Sequence, residues 1–114
     1  MKTAHFLKLD KTTSQNLASA ALSYTTDYGR KFKLEQLIVN FSQAVTETIT
    51  ITLDSKHGAN YDEVLFTADL LAEAGIVFRP QGEANYQDGD EIKVEITNAN
   101  TTGIAYVTIK TSEL

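Results

Sequence analysis

Cysteine is absent from the 114 residues, so no disulfide framework, thiolate metal site or cysteine nucleophile is available. Stability has to come from packing and the backbone hydrogen-bond ladder. Histidine, the usual general base, occurs only as His5 and His57. Glycine-rich phosphate loops, zinc-ligand spacings and the Gly-x-Ser-x-Gly nucleophile elbow are all missing. No apolar stretch approaches the roughly 20 residues of a membrane helix, and residues 1–10 lack the apolar run of a signal peptide. A soluble compartment and no membrane partner are expected. Ten basic residues against fifteen acidic ones give a net charge of -5, which repels a phosphate backbone. Only Arg30, Lys31 and Lys33 cluster, and three cations on a solvated strand face do not make a nucleic-acid footprint. No nucleic-acid partner is expected.

What is present is a β pattern. Ile49, Ile51 and Leu53 alternate with Thr48, Thr50 and Thr52, giving one apolar face and one hydroxyl face. The same period returns in Ile92, Val94 and Ile96, with Lys93 and Glu95 outward, and again in Ala105, Val107 and Ile109. The turn-rich link of residues 98–103 between these last two runs predicts a C-terminal hairpin. Residues 32–41 form another strand whose apolar phase slips from Phe32 and Leu34 to Leu37, Val39 and Phe41, which predicts a bulge near Glu35 and Gln36 or burial of both faces. Residues 5–9 read as a first strand and residues 17–24 as a second. Residues 62–74 fit either a short helix capped by Asp62 and stopped by Gly75, or a strand over 63–68 that suits the surrounding pattern better. Residues 75–79 make a short strand ended by Pro80, the only proline. The sum is an all-β fold: an antiparallel β-sandwich or jelly roll of seven to eight strands with at most one short helix, formed by a single domain over residues 1–114. Residues 1–28, polar and weakly patterned after Asp10, are expected to be an N-terminal arm or edge strand reaching a neighbour.

The search for chemistry returns little. Asp54, Ser55 and His57 are the residue types of a catalytic triad, but neighbours in one loop do not converge as a triad must. Asp54 and Asp62 are the calcium candidates, because the loop between them lets them converge. The other acidic set, Asp88, Asp90 and Glu91, follows no calcium-loop spacing and reads as a tight turn. No catalytic residue and no cofactor is expected. The tyrosines offer aromatic faces with polar tips for a partner or a glycan. His5, Phe6, Tyr24, Tyr28 and Tyr61 are the candidate interaction residues.

Five stretches taken together (residues 32–42, 48–55, 58–65, 89–98 and 106–109) resemble, in the same order, small virion-associated proteins of tailed bacteriophages. The likeness covers about two-thirds of the chain and leaves out everything before Arg30. It implies a β-sandwich or jelly-roll protein of a phage particle, a capsid decoration or cement protein that stabilises the shell, with a neck, tail or fibre component next. It further implies the major capsid protein or another virion protein as partner, synthesis in the host cytoplasm and residence in the virion. A homo-oligomer is expected, with a trimer first because lattice three-folds favour it. A carbohydrate-binding adhesive module, using Tyr61 and the loop from Asp54 to Asp62, is the alternative from the residues themselves. A β-sandwich hydrolase or isomerase ranks last for want of an acid and base pair.

Overall fold

A computed structural model of the protein describes residues 8–96 and 102–114. The strands are β1 (Lys11–Asn16), β2 (Leu22–Asp27), β3 (Phe32–Val45), β4 (Thr48–Asp54), β5 (Glu63–Asp69), β6 (Glu73–Phe78), β7 (Asn85–Tyr86), β8 (Glu91–Ile96) and β9 (Ile104–Glu113). One 3₁₀ turn, Ala59–Tyr61, is the only helical element among the described residues. Every pairing is antiparallel. One sheet runs β1-β9-β3-β6 with β7 also on β3, and the other runs β2-β8-β4-β5. The chain is therefore an all-β sandwich of two antiparallel sheets.

The alternating strands set the core. Ile49, Ile51 and Leu53 of β4 and Ile92, Val94 and Ile96 of β8 face Leu37, Val39 and Phe41 of β3 and Ala105, Val107 and Ile109 of β9, all buried. Each large aliphatic side chain removed from water in this way contributes roughly 1.5–3 kcal/mol. Phe32 is fully buried between Tyr28 and Tyr86, with ring centroids at 4.4 and 5.5 Å. The phase slip in β3 is a bulge: its register on β9 shifts between Leu34 and Gln36, which lets Leu34 and Leu37 both point inward. Residues 63–69 are strand rather than helix, and Asp62 caps no helix but accepts a hydrogen bond from the Ser55 amide at 2.8 Å.

Two expectations are corrected. Glu91–Ile96 and Ile104–Glu113 do not form a hairpin; β8 pairs with β2 and β4, while β9 lies in the other sheet between β1 and β3. A two-residue period sets which face is apolar but not which strand lies alongside, and both strands bury their apolar face from opposite sides of one core. Of the 98–103 link, residues 98–101 lie outside the described residues. The second correction is the strand expected at 17–24. The chain turns there, with the Ala18 amide donating to the Asn16 side chain at 3.0 Å and the Ser19 amide to the Asn16 carbonyl at 3.1 Å, so β1 ends before it and β2 begins at Leu22. Of the expected first strand, residues 5–7 lie outside the described residues, and Lys8 bridges Ser112.

The free edges fall on two sides. β1 and β2 come together on one. On the other, β5 and β6 end their sheets without a strand beyond them among the described residues.

Candidate functional site

The β5–β6 side holds a groove of about 730 Å³. Its position follows from two local devices. Leu65 is the extra residue where the β4–β5 register shifts, so Val64 lies opposite Thr52 and turns outward while Phe66 lies opposite Ile51 and turns inward. β6 ends at Phe78, and Pro80, two residues on, gives up no ladder bond there.

Phe66 and Phe78 form the floor, both half-buried, with Tyr86 beside them. Val64 and Val77 form exposed apolar rims, 60% and 53% accessible. Glu63, Arg79 and Glu83 put charge at the mouth, and the Asn85 amide donates to Glu83 Oε2 at 3.2 Å. Burial, followed by the nearby Glu63 and Asp90 charges, raises the Tyr86 phenol above its ordinary value of 10.0. Tyr86 therefore enters any contact here as a neutral hydroxyl. The arrangement can bury apolar surface, offer aromatic faces and accept or donate at its rim.

The interaction residues expected from sequence do not gather here. Tyr24 faces inward on β2 opposite Val94, and Tyr28 packs on Phe32. Tyr61 is 67% exposed in the β4–β5 loop, its ring edge-on to His57 at 5.9 Å. Tyr24 and Tyr61 thus belong to opposite edges of one sheet. His5 and Phe6 lie outside the described residues.

Asp54 and Asp62 have separate tasks. Asp54 sits on the outer face of β4 opposite Glu91, whose other neighbour is Asp27. Partial burial raises the Glu91 carboxyl above its ordinary value of 4.5, and Asp54 and Asp27 push it the same way. Asp62 holds the loop through Ser55. Asp90, only 7% exposed, joins two loops by accepting from the Lys56 amide at 2.9 Å and the Gln87 amide at 3.0 Å. Among the described residues no three histidine or carboxylate groups are arranged to hold a metal ion.

Sequence reasoning missed Phe66, Phe78, Val64 and Val77, and held Tyr86 only as one of the five tyrosines with an aromatic face and a polar tip. The aromatic residues at the inward phase of two consecutive strands were visible, but that both strands are edges depends on the topology.

No protein-family model matches the chain, and no curated protein matches it by sequence. Among solved structures it is similar to a Drosophila NLP core whose structure concerns pentamer formation and histone binding, at 13% identity and TM-score 0.49 over 90% of this chain and 97% of that one. It is similar also to a xylanase 10B fragment of Clostridium thermocellum with CBM22-1 and GH10 modules, at 14% identity and TM-score 0.47, with 95% of this chain covering 26% of that one. A third similarity is to the extra small virus particle of the prawn Macrobrachium rosenbergii, at 9% identity and TM-score 0.31, over 100% of this chain and 83% of that one. None of these likenesses carries a function to this chain.

Proposed function

We propose that the chain is a non-enzymatic structural protein of a phage particle, a capsid decoration or cement protein that binds the shell through its β5–β6 side. One observation carries the reading: two sheet edges end together around an aromatic groove, with Val64 and Val77 exposed at its rims. Free edges with apolar rims are places where another chain adds a strand or packs a side chain. The partner in this reading is the major capsid protein or another virion protein, and a neck, tail or fibre position uses the same surface. Co-sedimentation with particle shells tests it. The chain should pellet with shells, and Val64→Asp should release it while leaving the fold intact by circular dichroism. A chain that stays in the supernatant at every shell concentration ends the proposal.

The groove also supports the second reading, a carbohydrate-binding adhesive module, because Tyr86 stands there with the amides of Gln81 and Asn85 and the guanidinium of Arg79. Binding to a glycan array that disappears in Tyr86→Ala would favour it over the shell.

A further inference from the structure

Among the described residues four strands longer than the two-residue β7 present a free edge, and they differ in what a second copy would meet on them. An edge pairs with its own copy about a two-fold axis only if the antiparallel register sets compatible residues opposite each other, because opposed residues share a face. On β1, a run of hydroxyls and amides with one lysine offers nothing complementary. Self-pairing β2 end to end sets Leu22 against Asp27. Self-pairing β5 about Phe66 sets Glu63 against Asp69, like charge against like, and the bulge at Leu65 breaks its ladder.

β6 is different. With Ile76 on the axis, Glu73 of each copy lies opposite Arg79 of the other, just past the strand end. On the same outer face the exposed Val77 lies opposite Gly75, whose missing side chain leaves room. Gly75 is itself required here, since a Cβ would come within 2.8 Å of the Val39 carbonyl oxygen. On the inner face Ala74 opposes Phe78, and Ile76 opposes itself. Away from the axis a small residue meets a large one at Gly75 and Val77 and at Ala74 and Phe78, and opposite charges meet at both ends. Glu73 and Arg79 make no ion pair among the described residues.

We infer that β6 is a self-complementary edge, and that two copies join through it antiparallel about a two-fold axis at Ile76, fusing their β1-β9-β3-β6 sheets into one continuous sheet. This deepens the reading of an assembly subunit by naming the copy-to-copy contact, a two-fold pair in place of the expected trimer, and with β6 taken by the copy it leaves β5 and the exposed Val64 rim for the shell.

Sedimentation of the full-length chain over a range of concentrations tests it. A monomer–dimer equilibrium is expected, weakened roughly tenfold or more by Glu73→Arg or Arg79→Glu alone, since each puts like charges at both ends of the ladder. The double exchange E73R/R79E should restore it. Thermal melting checks that each variant folds. Because the chain has no cysteine, Ile76→Cys gives an independent readout: mild oxidation should yield a covalent dimer, while Tyr106→Cys on β9 should not. A monomer at all concentrations, a closed oligomer indifferent to the charge exchange, or equal crosslinking at both cysteines overturns the inference. A monomer that pellets with shells removes the pair and keeps the structural role; a charge-sensitive dimer that ignores shells keeps the pair and removes the role.

Discussion

Phe66 of β5 and Phe78 of β6 meet with ring centroids 5.4 Å apart and planes tilted by 35°, one ring from each sheet. Among the described residues no strand spans the gap beyond them, and this contact bridges the two sheets on their open side. Such a pair adds roughly 0.5–1.5 kcal/mol beyond the area it buries.

Phe78→Ala should therefore destabilise the fold by about 2 kcal/mol, less than a fully buried phenylalanine because Phe78 is only partly buried. Phe32→Ala, between Tyr28 and Tyr86 in the closed core, should cost about 3–5 kcal/mol. Urea unfolding checks both, with the midpoint moving and the denaturant slope unchanged in each variant.

Asp90 restrains two loops through one carboxylate, so Asp90→Ala takes the acceptor from the part-buried amides of Lys56 and Gln87 together. A loss of about 2–3 kcal/mol is expected, with Asp90→Asn losing less because its amide oxygen still accepts. Hydrogen exchange at those two amides should accelerate in the alanine variant ahead of the rest of the chain.

The Tyr28 hydroxyl is buried without a hydrogen-bond partner. Thr26 and Thr111 lie beside it, and since their hydroxyl protons go to the carbonyls of Ile92 and Leu9, neither donates to the phenol oxygen. Tyr28→Phe removes the stranded group and keeps both the ring packing and the Lys11 ammonium 5.8 Å from the ring centroid, so it should raise stability by about 1 kcal/mol. Burial chiefly raises the Tyr28 phenol above 10.0. The folded state thus holds this proton more tightly than the unfolded chain, and the wild type should lose stability above about pH 10 where the variant loses less.

Glu91 stands between Asp27 and Asp54 in one cross-strand row. Its carboxyl is raised in the folded state, so its contribution is whole below the ordinary value of 4.5 and falls as pH rises through the folded value. Glu91→Gln should gain roughly 0.5 kcal/mol at pH 7 and nothing in more acid solution. Denaturant midpoints of both proteins from pH 3 to about pH 8 would show the difference opening above pH 4.5, and a constant difference would refute the like-charge account.

The strands were legible where one face is buried and the other wet. β4, β8 and β9 carry strict alternation, and the slip between Leu34 and Leu37 marked the β3 bulge because a bulge is what puts both on one face. β1 was not legible: as an edge strand of lysine, hydroxyls and amides it has no apolar face, and only its ladder to β9 makes it a strand. The groove was hidden for the same reason. Phe66 lies in a segment whose apolar spacing also fits a helix, and its strand state comes from pairing with β4.

The amino-acid order by itself determined that the chain is all-β, which faces its strongest strands bury, and where β3 bulges, because these follow from side-chain period and backbone sterics within a few residues. The partners of each strand, the separation of β8 from β9, and the meeting of β5 and β6 as free edges were decided only in three dimensions. Pairing between strands depends on how two sheets share one core, and contacts between residues distant along the chain leave no local pattern to read.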